Sequence, residues 1–309
     1  MSTTAPNLNP IEALPSQTYH WENYQCAYAI QHPPQAQGIP LLLIHPIGVG
    51  LSRHFWQRFC QEWQRQGQTN PLYLPDLLGC GESEMPRIAY RPEDWSNQLY
   101  YFLKTVIQQP VIVVVQGALA AVALRLAQQA PDHVAGLVLS GPPAWEVMTR
   151  ASDPSQSKLI WNLFFDTPLG WAFYRYARRE AFLRSFSQDK LFAQAEDVDA
   201  NWLDTLQQGA ADVASRHAVF SFLAGFWRQD YGPAIRQLQQ PVQVLFGEAA
   251  SGISKRGKND PAPKRLQDYL SQFPNAQGTL ISGRNVMPYE EPEAFVRETA
   301  RFVQQQQSH

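Results

Sequence analysis

A series of short, largely apolar runs, each too short for a helix, constrains this chain more than any other feature. They include IPLLLIH at 39–45, PLYLPD at 71–76, VIVVV at 111–115, GLVLS at 136–140 and PVQVLFG at 241–247. A strand wet on one face alternates apolar and polar residues. A run apolar on successive positions belongs to a strand covered on both faces, as in a parallel sheet. Segments of helical periodicity lie between the runs: 54–66 through Phe55, Phe59 and Trp63, then 95–108 through Leu99, Phe102, Leu103 and Val106. Alternating strand and helix predicts an α/β fold with a mostly parallel, twisted sheet between helices. Ligands on such sheets bind beyond the carboxyl ends of the strands. Chemistry is therefore expected at His45, at Asp76, at the turn 116–120 and at Ser140.

The alternation stops near Trp145 and resumes at 241. Residues 145–235 form a helical insert in which 17 of 91 residues are Phe, Trp or Tyr, against 12% for the whole chain. The expected organisation is a loose N-terminal arm at 1–18, a core at 19–144 and 236–305, and an aromatic cap at 145–235. A last helix runs from 292 to about 304, and the polar end beyond it is expected to fray.

At 309 residues and 44% hydrophobic content the chain can bury a sizeable core, and length alone suggests about two domains. A formal charge of −2 gives no basic surface for nucleic acid. The three cysteines, Cys26, Cys60 and Cys80, match no metal spacing and fit free thiols in a reducing compartment. No cofactor and no metal site is expected. The first 15 residues lack the basic start and apolar core of a signal peptide, and no apolar run approaches the ~20 residues of a membrane span. The expectation is a soluble, cytoplasmic protein, with peripheral membrane contact left open.

The run 111–115 ends in Gln116-Gly117-Ala118-Leu119-Ala120 and passes into an Ala/Leu-rich helix. This is the strand–sharp turn–helix layout that presents a nucleophile in G-x-S-x-G. LLLIHPIG, PDLLGCGES, ALRLAQQAPDHVAGLVLSGPP and GRNVMPYEEPEAF follow in the same order as the loops of the α/β-hydrolase superfamily, and together they resemble it over roughly residues 20–305. The likeness extends to cap-containing hydrolase-like proteins of cyanobacteria and plastids. It implies a helical cap inserted after the sixth of eight strands, and a serine, a histidine and an acid at three fixed positions. On this reading Ala118 stands at the serine, Val286 at the histidine and Ala250 at the acid. Pro46 replaces a glycine in the oxyanion loop, where the Ile47 amide still offers a donor. Glu248 is nearby but matches a position that is ordinarily not the acid.

The remaining candidates have plainer readings beside the sharp ones. His45 shapes the oxyanion loop. Asp76 and Ser83 satisfy loop amides. Ser140 before Gly-Pro-Pro is turn chemistry, and Cys80 is a packed thiol. The cap aromatics either form core or line a cavity between cap and sheet. A pocket of His45, Ile47, Ala118, Leu119, Ser140, Trp161, Phe165, Phe222 and Val286 is expected. Arg175, Arg178, Arg179 and Arg184 lie on a solvated face, or touch anionic lipid or an acidic partner. The functional expectation is a non-catalytic hydrolase-fold protein that binds a hydrophobic small molecule or a protein partner between cap and core. The alternative is an enzyme on a hydrophobic ester or lipid-like substrate, with relocated residues drawn from His45, Asp76, Ser140 and Glu248.

Overall fold

The computed structural model describes residues 14–253 and 259–307. In chain order they form β1 (Ser16–Trp21), β2 (Tyr24–Gln31), β3 (Leu41–Ile44), α1 (Gln57–Arg65), β4 (Leu72–Pro75), α2 (Pro92–Phe102), β5 (Val111–Gln116), α3 (Ala120–Gln129) and β6 (Val134–Ser140). Helices α4 (Trp145–Met148), α5 (Pro154–Ile160), α6 (Pro168–Ala177), α7 (Glu180–Phe186), α8 (Ala200–Gly209), α9 (Arg216–Ala224) and α10 (Gly232–Gln237) come next. The chain then returns through β7 (Val242–Gly247), α11 (Ala262–Leu270), β8 (Ala276–Ile281), α12 (Met287–Glu290) and α13 (Pro292–Gln307).

The strands make one sheet in the order β1-β2-β4-β3-β5-β6-β7-β8. β1, β2 and β4 pair antiparallel at one edge, and every other pairing is parallel. Side chains alternate across a strand, so each apolar run feeds two cores. Leu42, Ile44, Val113 and Val115 pack with Trp95 and Leu99 of α2, Leu124 of α3 and Tyr269 of α11. Leu41, Leu43, Ile112 and Val114 pack on the other face with Phe59 and Trp63 of α1 and Phe295 and Phe302 of α13. The run signature thus translates directly into a sheet covered on both sides.

The insert follows β6 as expected. It does not sit as one separate layer. Trp202, Leu203 and Leu206 of α8 join the core beneath the sheet, whereas Trp161, Phe165, Tyr174 and Phe220 form a small core of the cap's own. Three boundaries differ from the sequence reading. Residues 16–18 are paired in β1 rather than loose, and the rest of that arm up to 13 lies outside the described residues. The 235/236 boundary falls inside α10. Residues 304–307 continue α13, because Phe302 and Val303 are buried and anchor the helix end, and 308–309 lie outside the described residues.

The cap closes onto the loop after β3 through two glycines. Gly50 has φ +77°, and a Cβ there would lie 1.9 Å from the Leu206 carbonyl oxygen, while a Cβ on Gly209 would lie 2.1 Å from the Gly50 oxygen. Both obstacles are backbone and have nowhere to move. Gly67 has a similar φ of +71° but nothing within 4 Å of its Cβ position. Gly67→Ala is expected to cost about 1 kcal/mol, from backbone strain alone. Gly50→Ala should cost at least about 2 kcal/mol more in urea denaturation. Equal costs at the two sites would show that the cap does not depend on this approach.

Candidate functional site

The carboxyl ends of β3, β5, β6 and β7 and the loop after β8 converge, and the turn from β5 into α3 lies at their centre. The residue in left-handed conformation there is Gly117, with φ +65°. Ala118 has no positive φ, so the apex of the turn is one residue earlier than the sequence motif suggested. A left-handed apex is what lets a strand reverse sharply into a helix while a side chain on it points outward. Gly117 has no side chain, and nothing lies within 4 Å of where its Cβ would be. Gly117 and Ala118 are both half-buried, and Ile47 and Phe222 are half-buried against the same core cluster. The backbone amides of Ile47 and Ala118 donate to no protein acceptor among the described residues.

The other expected pocket residues are distributed differently. Leu119 is fully buried core beneath the turn. Trp161 and Phe165 belong to the cap's own core: Phe165 stacks on Phe220 with centroids 4.6 Å apart, and Trp161 packs on His217 and Phe226. Phe222 faces the main core instead and stacks on Trp227 at 5.0 Å. Val286 is buried in the core cluster that contains α1 and α13, not in the one against which Ala118 packs. Its neighbour Asn285 is the residue of the closing loop that reaches the site.

Asn285 has no room for free movement. Its Nδ2 donates to the carbonyls of Lys190 and Ser251 at 2.7 and 3.1 Å, its backbone N–H donates to Leu191 O at 3.0 Å, and its carbonyl accepts from Gln116 Nε2 at 2.7 Å. Gln116 Oε1 in turn accepts the Ser140 hydroxyl at 2.6 Å. Ser140 therefore has its hydroxyl proton engaged by a neutral amide in a fully buried position. The Arg284 guanidinium donates to Ser251 Oγ at 3.0 and 2.8 Å. Cap, β5, β6 and the loops after β7 and β8 are tied together at this point. Asn285 is not marked by the sequence, and Gln116 is marked there only as part of the turn 116–120; a lone amide ending an otherwise apolar strand is the signal for it.

The remaining candidates are also spoken for. His45 is fully buried; its Nε2 accepts the Leu77 amide at 3.2 Å, which requires the proton on Nδ1, and Nδ1 lies 2.8 Å from the Pro46 carbonyl. Asp76, equally buried, pairs with the Arg53 guanidinium and accepts the amides of Arg53 and Glu82 at 2.8 and 2.9 Å. Ser83 donates to Asp76 O at 2.8 Å and accepts the Ala27 amide at 2.9 Å. Cys80 is buried and its thiol pKa is pushed up by desolvation. Ala250 is buried in the loop after β7, and Glu248 beside it is exposed. No hydrogen bond joins any two of His45, Asp76, Ser140 and Glu248 among the described residues. A pocket of about 450 Å³ between β2 and α1, lined by Gln31, His32, Arg53, His54 and Cys60, shares no residue with the turn.

Residues 41–298 match the profile of the alpha/beta hydrolase family. The chain belongs to that family. A haloalkane dehalogenase of Mesorhizobium japonicum is 33% identical over 102 residues, which is 33% of this chain and 31% of that enzyme. The matched stretch thus spans about a third of the curated relative. Among solved structures, a thermophilic esterase from Thermogutta terrifontis superposes with TM-score 0.69 at 17% identity, covering 94% of this chain and 97% of its own. A serine hydrolase involved in carbazole degradation superposes with TM-score 0.71 at 18% identity, covering 95% and 100%. These likenesses fix the hydrolase fold, insert included.

The hydrolase scaffold around the site carries a pH signature of its own. Burial depresses the pKa of His45, and of His217 in α9 to about 4, where the neighbouring Arg216 adds to the effect. His217 Nδ1 is also buried without a partner. The unfolded chain, with histidines near 6.5, takes up these protons first. Stability should therefore be complete above pH ~6.5 and fall as pH drops below it, by up to about 1.4 kcal/mol per unit for each histidine. Urea denaturation at pH 7 and pH 5 checks this. His217→Leu should reduce the dependence, and an unchanged slope would assign it elsewhere.

Proposed function

We propose that this protein is a binding member of the alpha/beta hydrolase family: it holds a hydrophobic small molecule above the β5–α3 turn and does not cleave it. The observation that carries this reading is Gly117. It occupies the left-handed apex from which the family's nucleophile projects, and it offers open space in place of a reactive atom. Asn285, which stands where the closing loop meets the site, is an amide with all its donors committed and supplies no general base. Ala250 supplies no acid to orient one. Ser–His–Asp catalysis acts as a unit, so these three together leave no route to it.

What survives is suited to recognition. Ile47, Ala118 and Phe222 give an apolar lining, and the unpartnered amides of Ile47 and Ala118 suit a carbonyl or carboxylate oxygen. Burying about 300 Å² of apolar ligand surface contributes roughly 7 kcal/mol before ordering costs. Useful affinity then needs no chemistry. The enzymatic alternative with relocated residues has less support, because each of His45, Asp76 and Ser140 is held in a separate hydrogen-bond pair.

Native mass spectrometry of protein purified from its own host is expected to show a retained hydrophobic adduct. Its p-nitrophenyl ester turnover should stay within about 10³–10⁴-fold of the uncatalysed rate, the level of a site without its triad. Turnover well above that, abolished by a point substitution at Ile47 or Phe222, would overturn the proposal. A second measurement tests the register of the site. Gly117→Ser combined with Asn285→His and Ala250→Asp should raise ester turnover by about 10²-fold or more over wild type. Ala118→Ser with Val286→His and Ala250→Asp should not, since position 286 faces the opposite core. Equal outcomes for the two sets would refute the assignment of Gly117 and Asn285.

A further inference from the structure

The outer part of the cap is inside out. α5 buries Ser157 and exposes Leu159 and Ile160, and the π-helical turn after it exposes Leu163 at 67%. α6 buries Gly170, Tyr174 and Ala177 and exposes Leu169 at 65% with Trp171 and Phe173. A helix that merely covers a core turns its large apolar side chains inward. α5 and α6 turn Ser157, Gly170, Tyr174 and Ala177 inward and leave their other large apolar side chains in water, while the turn between them buries Trp161 and Phe165 and exposes Leu163. The exposed residues are continuous rather than scattered. Leu169, Phe173 and Tyr176 follow helical spacing along α6; Phe164 meets Phe173 with centroids 6.0 Å apart, and Tyr176 meets Phe182 of α7 at 5.4 Å. An apolar surface of this extent on a monomer marks an interaction site.

Its charge identifies the occupant. Between 154 and 186 lie five basic side chains, Lys158, Arg175, Arg178, Arg179 and Arg184, and two acidic ones, Asp166 and Glu180, a local charge of +3 in a chain of net −2. Arg175 lies over the Trp171 ring at 4.8 Å, and Arg179 lies over Tyr176 at 5.6 Å. Among the described residues neither has an acidic partner. Aromatic rings and arginines mixed on one apolar helical face suit the boundary between headgroups and acyl chains, where rings and aliphatic stems insert and guanidinium groups meet lipid phosphate. A twofold contact with a second copy would set this arginine cluster against itself. No described helix is long and apolar enough to cross a bilayer, so contact would be with the surface.

We propose that the α5–α6 face of the cap docks on the surface of an anionic lipid bilayer. This is independent of whether the β5–α3 turn binds or cleaves a ligand. The test is cosedimentation of the full chain with phosphatidylcholine vesicles containing 30% phosphatidylserine, beside pure phosphatidylcholine. Binding is expected to the anionic vesicles only, to weaken with added salt, and to fall by about tenfold or more in Arg175→Glu/Arg179→Glu. Leu163→Gln/Leu169→Gln should lower it similarly. Both pairs are exposed and belong to no core cluster, so the variants are expected to fold, which circular dichroism checks. Absence of binding to anionic vesicles, or equal binding with all four residues replaced, would overturn the proposal. So would concentration-dependent self-association abolished by the leucine pair, since a second copy would then be the occupant.

Discussion

Burial of the central strands on both faces is the constraint from which the rest of the structure follows. A residue slip in β3 or β5 would still place an apolar side chain in a core, so periodicity alone leaves the register open. The ends fix it. β5 stops at Gln116, whose amide must find partners at the sheet edge and finds them in Ser140 and the Asn285 carbonyl. Gly117 then supplies the left-handed turn that starts α3. The polar groups at the strand ends thereby define both where the strands stop and where the loops after β5, β6 and β8 meet.

Much of this was legible in the sequence. Apolar runs alternating with helical periodicity predicted a parallel sheet, and the interruption at 145 predicted the insert, because both depend on local pattern. Under the proposed reading the site lies one residue before the sequence assignment at two points, Ala118 and Val286. Spacing to Pro288 and the small-residue motif could not distinguish neighbours; the φ of Gly117 and the face on which position 286 packs could, and both are properties of the folded backbone. The cap aromatics were divisible only in three dimensions. Trp161 and Phe165 go to one core, Phe222 to another, and Trp171 and Phe173 to the surface, although all share the same composition.

Hydrogen-bond satisfaction separates architecture from function at this site. A catalytic histidine or serine needs a group free to exchange a proton with substrate. His45, Asp76, Ser83, Ser140 and Asn285 each spend their polar atoms on backbone or on neighbouring side chains. A buried polar group so paired is costly to disturb, since breaking it leaves its partner unsatisfied. Arg53 shows the stakes: it is almost fully buried against Asp76, and loss of that carboxylate would leave the half-exposed Glu82 as its remaining acidic partner.

The groups left over are the informative ones. Around the β5–α3 turn they are two amides and open space over a glycine, the features on which the proposed binding role rests. On the cap they are leucines, aromatic rings and two arginines that have no acidic partner among the described residues. Oxygen-bearing apolar molecules are concentrated in membranes, so a face that seats the protein on a bilayer and a lined space that accepts such a molecule answer the same chemical environment. Under the two proposals the sites need no direct coupling, because the bilayer proposed to receive the cap would also be the reservoir of the proposed ligand.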